Sequence, residues 1–260
     1  MTPTITTPTP VLRPSSAAHE SIPFRRLLGV EWSKATDTRS ARWLLALVGV
    51  ITTGMTLGVP ILAPTNFEQS HASYLRLAAL GLIILLPVVA ILMLTGEWSQ
   101  RSIITTFTQE PRRMRVINAK LVVSMMLGGL GAVFGGVVTA GGIGIAAISG
   151  RSLDSDLTVG AIVGYLLFVL INVLAGVALG ALLHNSAAAI AVSFALPAIF
   201  AVLGTASKFV SEWIDTESSW TWLLKSEWAG HVPQILLSVI LWVAVPLAGG
   251  IIRTMRRDVA

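Results

Sequence analysis

The sequence predicts an all-α membrane protein of six transmembrane helices with both termini in the cytoplasm, and three observations predict it. Hydrophobic residues make up 54% of the 260 and charged residues only 12%, whereas a soluble domain carries about 25% charged residues. A water-soluble globule of this size cannot hide so much apolar surface. Six stretches, 43–63, 77–95, 121–149, 157–183, 187–207 and 233–252, contain no Asp, Glu, Lys or Arg, and each has the roughly 17–25 residues that cross ~30 Å of hydrocarbon. The connections 1–42, 96–120, 184–186 and 253–260 hold 14 of the 18 Lys and Arg residues, which orients them toward the cytoplasm. These features exclude a soluble enzyme and disorder over most of the length. The net charge of +5 therefore reads as cytoplasmic loops and no nucleic-acid partner. The absence of cysteine removes disulfides, thiol chemistry and Cys-type zinc sites.

Residues 1–23 form a Thr/Pro-rich tail with five prolines and are expected to be disordered. The polar lead of 42 residues is too long for a signal peptide, so the first span is expected to remain in the mature protein. In 24–42, Phe24, Leu28, Trp32 and Ala35 fall on one helical face and Arg25, Arg26, Lys34 and Arg39 lie around the rest. This spacing predicts an amphipathic helix in the membrane interface. The third and fourth spans exceed the bilayer thickness and should tilt or protrude.

The loop 96–120 is too long for a turn and too apolar for a free linker. Ile103, Ile104 and Phe107 could share one face of a short helix. Pro111 would end that helix or open the next, and Arg112, Arg113, Arg115 and Lys120 would ride a helix into the third span. A short helix with one apolar side suits docking into a partner's groove.

Small residues mark close helix contacts. In the third span Gly128, Ala132, Gly135, Thr139, Gly142, Ala146 and Ser149 recur at intervals of four and three, and the fourth span has Gly160, Gly164, Gly176 and Gly180. The two spans are expected to pack closely, within the subunit or at a dimer contact. Asn172 lies mid-span and is expected to act as interhelical hydrogen-bonding glue more than as path lining. Thr52, Thr53 and Ser193 are the other candidate path-lining polar groups. Pro87 and Pro197 should kink their helices. The segment 208–232, with four tryptophans among acidic residues, reads as amphipathic helices anchored at the outer interface.

The run Gly96-Glu97-Trp98-Ser99-Gln100-Arg101-Ser102, continuing through Thr106-Phe107-Thr108-Gln109-Glu110-Pro111-Arg112-Arg113 to Ala119-Lys120, resembles the loop of membrane subunits of type-2 ABC exporters, in the style of actinobacterial permeases. Leu27-Leu28-Gly29-Val30-Glu31-Trp32-Ser33-Lys34 resembles their amino-terminal interfacial helix, and the resemblance covers about residues 24 to 258. It implies the six-helix transmembrane-domain architecture of those exporters and a place in a bacterial cell membrane. It also implies that 96–120 is a coupling helix seated in a separate cytoplasmic ATP-binding subunit, with Glu97, Arg101, Ile104, Phe107, Pro111, Arg112 and Arg113 carrying the contact. A second permease copy, identical or related, would complete the path.

The chain itself carries no nucleotide site: its four lysines follow Ser, Ala, Ser and Leu, and a P-loop needs Gly-Lys. ATP and Mg would belong to the partner. No catalytic set or metal site is expected, because the four histidines are scattered and no intramembrane carboxylate pair exists. The second reading is a membrane protein that does not use ATP, such as a secondary transporter, a channel or an immunity-type scaffold. Ion-coupled carriers usually place charged or unwound segments at the midplane, and these spans offer only Asn172 and a few hydroxyls there. Neither composition nor motif names a substrate.

Overall fold

The computed structural model describes residues 22–62, 70–100, 102–226 and 228–256. Residues 1–21 of the expected tail, Arg101 and the last four residues of the basic tail lie outside the described residues. Among those described, every regular element is helical, and the only β feature is an isolated bridge between Ser70 and Asp154. Six helices are long and apolar enough to cross a membrane, so the chain is a multi-pass membrane protein. The elements are α1 (Phe24–Thr36), α2 (Arg39–Leu62), α3 (His71–Ser99), α4 (Ile103–Gln109), α5 (Arg113–Ile148), α6 (Val159–Leu183), α7 (Ser186–Ala206), α8 (Thr216–Leu224) and α9 (Val232–Arg256). The spans are α2, α3, α5, α6, α7 and α9. Six spans bring Ile22 and Arg256, the ends of the described residues, to one end of the bundle, called proximal below; the other end is distal.

The helices cover the apolar stretches to within two residues and overrun more than half of their ends, because a helix stops where its backbone is capped and not where hydrocarbon ends. Ser70 starts α3 by accepting the Ser73 N–H at 3.2 Å. The 36 residues of α5 rise ~54 Å, longer than ~30 Å of hydrocarbon, so its first turns place Arg113, Arg115 and Lys120 at the proximal end. The helix expected over 24–42 is two helices. Thr38 adopts extended backbone and its hydroxyl accepts the Ala41 N–H at 3.2 Å, which ends α1 and caps α2.

Wide π turns at Gly54–Gly58 in α2 and Ile240–Ala244 in α9 each precede a proline, Pro60 and Pro246. A proline offers no N–H to the carbonyl four residues back and its ring crowds that turn; the wide turn absorbs the misfit.

Helices α3 and α6 form the centre, with half or more of their most apolar stretches buried, whereas 6% of that of α7 is buried. The small-residue stripe of α5 seats both central helices. Gly128 meets Leu170 and Val173 of α6, Gly135 meets Tyr165 and Leu82, and Gly142 meets Tyr74 and Leu57. The Ala132 carbonyl accepts the Tyr165 hydroxyl at 2.7 Å, and the Thr139 hydroxyl reaches the Tyr74 carbonyl at 3.5 Å. The α6 glycines do not add to the expected pairing with α5. Gly176 and Gly180 receive Pro87, Ile91 and Leu94 of α3, Gly164 lies against the Leu223 backbone of α8, and Gly160 has only ordinary contacts with Thr158 and Trp228.

The segment after α7 folds into the bundle instead of resting at its surface. It runs inward through a π turn, Val210–Ile214, turns at Asp215, and returns as α8. Asp215 caps α8 by accepting the Glu217 and Ser218 N–H groups, both at 3.2 Å. Trp220, Leu223 and Leu224 join the core with Tyr165 and Phe168. The inner end is fixed to α9 by Trp242 Nε1 donating to the Ile214 carbonyl at 2.7 Å and by Ser219 and Ser238 hydroxyls 3.1 Å apart. Trp213 and Trp222 stay nearer the surface, stacked on Phe209 and His231.

At the distal end the 150–158 loop clasps the start of α3. The Asp154 carbonyl accepts the His71 N–H at 3.1 Å and the Asp156 carboxylate accepts the Ala72 N–H at 2.9 Å. Partial burial raises the Asp156 carboxyl, but the Ala72 and Ser70 hydrogen bonds and nearby Arg76 outweigh it and hold the group below its ordinary 3.8. A lowered folded value stabilises above the unfolded value and is lost as pH falls through the folded one. The thermal-midpoint advantage of the wild type over Asp156→Asn is therefore expected at neutral pH and should shrink steadily below about pH 4, as read by melts across a pH series.

Candidate functional site

The proximal end gathers four charges from three helices around one buried point. Glu31 and Lys34 sit one turn apart on α1, Glu97 ends α3, and Lys120 leaves α5 where that helix enters the apolar layer. Lys120 Nζ lies 2.7 Å from Glu31 Oε2 and 3.2 Å from Glu97 Oε2. Lys34 Nζ lies 2.8 Å from Glu31 Oε1 and 2.6 Å from Glu97 Oε1. The ring is neutral overall and alternates in sign, so each carboxylate has two cations and each cation two carboxylates. Lys120 also donates to the Met93 carbonyl at 3.2 Å.

Burial decides the weight of each member. The Glu31, Lys120 and Glu97 side chains are 1%, 6% and 11% exposed, whereas Lys34 is 42% exposed. The Glu31–Lys120 pair is thus the dry centre, where a lost partner strands a buried charge, and Lys34 is the wet edge. Burial lowers the Lys34 ammonium, but the Glu31 and Glu97 carboxylates outweigh it and raise the group above its ordinary 10.5. A raised folded value stabilises fully below the unfolded value and fades as pH climbs through the folded one, so the contribution of Lys34 is present at neutral pH and is lost only in strong alkali. Beside it a cavity of about 290 Å³ opens between α1, α2 and α3, bordered by Lys34, Thr38, Ser40, Leu44, Leu92 and Gln100.

The ring holds α4 in place. The Thr106 hydroxyl donates to Glu97 Oε1 at 3.2 Å, and the Ser102 N–H reaches the Glu97 carbonyl at 2.9 Å. On the other side Phe107 meets Trp98 edge to face at 6.4 Å and carries the Arg113 guanidinium 5.1 Å above its ring. Arg113 also donates to the Thr254 carbonyl of α9 at 2.8 Å. Trp98 stacks on His184, whose Nε2 lies 2.9 Å from the Thr254 hydroxyl. His184 ends α6 in the left-handed region at φ 53°, which turns its ring under Trp98. Past α4, Arg115 pairs with buried Glu110 at 2.8 Å and donates to the Ile22 carbonyl at 2.6 Å. This short helix is thereby wired to α1, α3, α5, α6 and α9 together.

The residues read from the sequence separate into two groups. Ile104 is 47% exposed and with exposed Thr105, Thr108 and Gln109 forms the bare outer face of α4, which exposed Pro111 and Arg112 extend just past its end. Glu97, Phe107 and Arg113 point back into the bundle and act on α4 from beneath. Arg101 lies outside the described residues. Sequence reasoning missed the weight of Glu31, Lys34 and Lys120. The available signals were Glu31 as the one acid of an amphipathic helix, placed at i, i+3 to Lys34, and a cation directly followed by 30 uncharged residues.

Of the candidate path-lining groups, Asn172 and Ser193 border one cavity of about 80 Å³ in the middle of the bundle. Asn172 does not form the expected interhelical bond: Nδ2 donates to the Phe168 carbonyl of its own helix at 2.9 Å. Thr52 is fully buried in the contact of α2 with α3, so close that a Cβ on Gly81 would stand 2.6 Å from its Cα. Thr53 is half-buried. Among the described residues, no group of three His, Cys, Asp or Glu is placed to hold a metal ion. No family model matches this chain, and no curated protein or solved structure does.

Proposed function

We propose that this chain is the membrane subunit of an ATP-driven exporter, receiving motion from a separate ATP-binding subunit docked on α4. The observation that carries the reading is a short helix with a bare outer face, set on a neutral, buried charge ring that joins three other helices. A surface loop serving only membrane orientation needs cations; it needs neither a matched buried ring nor an aromatic clamp. A push on Ile104, Pro111 and Arg112 would move α1, α3 and α5 as one body, because the ring resists separation of its charges. The resemblance of 96–120 to the coupling loop of type-2 ABC exporters supports the same assignment, as does the lack of any Gly-Lys phosphate cradle in the sequence. The thinly covered α7 is suited to a second permease copy, completing a path between the two.

The test is purification of the tagged full chain from its native membrane with any P-loop ATPase that accompanies it. Ile104→Asp combined with Arg112→Glu, both at exposed positions, is expected to reduce recovery of that ATPase and its stimulated hydrolysis by more than ~10-fold while leaving the thermal midpoint within about 2 °C. The chain lacks cysteine, so Thr108→Cys gives a single thiol on the outer face of α4. It should react with a membrane-impermeant maleimide only when the cytoplasmic side is open. Labelling from outside intact cells, or transport by the purified chain alone, would overturn the reading.

A further inference from the structure

The cavity at mid-bundle is walled by α3, α6, α7, α8 and Trp242 of α9, and its wall is short of hydrogen-bond partners. Asn172 and Ser193 satisfy themselves on their own helices, on the Phe168 and Ile190 carbonyls, and Trp242 donates to Ile214. Trp220 is different. It borders the cavity, is 3% exposed, and its indole N–H has no acceptor among the described residues. A buried donor left unmade costs about 1–3 kcal/mol.

The same wall offers acceptors without their usual donors. Pro87 and Pro197 lie inside α3 and α7, so the carbonyls of Ile83 and Ser193 lack the N–H four residues ahead. Both residues border the cavity, as does Thr216 with its hydroxyl. One unpartnered donor and several residues carrying acceptors therefore border a space of about 80 Å³. No Asp, Glu, Lys or Arg borders the space, which selects against ions. Trp242 and Phe194 give it aromatic sides, and exposed Ile84 and Phe194 stand at its edge on the apolar flank of the bundle.

We propose that this cavity binds a small neutral molecule through an oxygen that accepts from the Trp220 indole N–H. The volume holds several waters, each needing roughly 10–15 Å³ of such space, or one short alcohol entering from the hydrocarbon side. The shared chemistry is a neutral hydrogen-bonding oxygen, and the site does not depend on how the protein is energised.

The experiment uses the full chain in lipid nanodiscs with 15N-labelled tryptophan, the Trp220 indole signal being assigned with Trp220→Phe. Cross-relaxation of that N–H with water, without additive, would identify water as the occupant. A saturable shift on titration with 1-pentanol, absent with n-pentane and lost in Ala175→Leu, which fills the space without touching the donor, would identify an alcohol-type occupant. Should Ala175→Leu not fold, the pentane comparison decides alone. An indole signal that neither cross-relaxes with water nor shifts with pentanol more than with pentane would overturn the proposal, as would an unchanged response in folded Ala175→Leu.

Discussion

Replacing Lys120 by methionine is expected to lower stability by about 3–5 kcal/mol, the usual cost of removing one partner from a buried ion pair. The substitution keeps the length and apolar stem of the side chain, so the loss is electrostatic. Glu31, with a side chain 1% exposed, would keep only Lys34, which is 42% exposed and already shared with Glu97. For a chain of this size the shift in thermal midpoint is on the order of 10 °C. Lys34→Met should cost far less, at most about 1 kcal/mol, because water screens that ammonium and replaces its contacts. Adding Glu31→Leu to Lys120→Met should recover part of the loss, since removing both buried charges is cheaper than stranding one. Equal destabilisation by the two lysine variants in the same detergent would show that burial does not rank the ring as described. Under the exporter reading, Lys120→Met should also uncouple ATP hydrolysis from transport while leaving the ATPase bound, because the outer face of α4 is untouched.

Gly176→Val is expected to have an effect of similar size by a different route. A Cβ at Gly176 would stand 2.6 Å from the Pro87 carbonyl oxygen and 3.0 Å from its Cα. These are backbone atoms of the central helix, so no side-chain rotation relieves the clash and α3 and α6 must separate. Overpacking of this kind costs typically about 1–3 kcal/mol, and more where backbone must move. Separation here also opens the wall of the mid-bundle cavity. Gly136→Val is the matched control: a Cβ there meets nothing within 4 Å, and its midpoint should stay near that of the wild type. The two variants, one on α6 and one on α5, differ in whether the added methyl groups meet packed backbone or open space, so a common response would refute the packing assignment.

The six spans were legible because an uncharged run long enough to cross hydrocarbon needs no partner to be recognised. Their ends were not, because caps such as Ser70 and Thr38 act through single hydrogen bonds. The break at Pro111 and the short helix before it could be read from residue chemistry alone. The ring under that helix could not. Glu31 and Lys120 are 89 positions apart, and a cation near a membrane edge looks the same in sequence whether it faces solvent or a buried carboxylate. The inward fold of 208–232 was hidden for a related reason. Four tryptophans among acids suit an interface, and what draws α8 inward is a gap beside Gly164 on another helix.

Translation meets the ring in a fixed order. Glu31, Lys34 and Glu97 are all synthesised before Lys120, so the late-arriving cation finds its counter-charges already laid down and does not enter the apolar layer bare. Shortening the chain past residue 31 would remove the nearer of the two counter-charges and leave Glu97 to receive the cation alone. The defect would then surface as failed insertion of the third span, a biogenesis fault produced by a segment that crosses nothing itself.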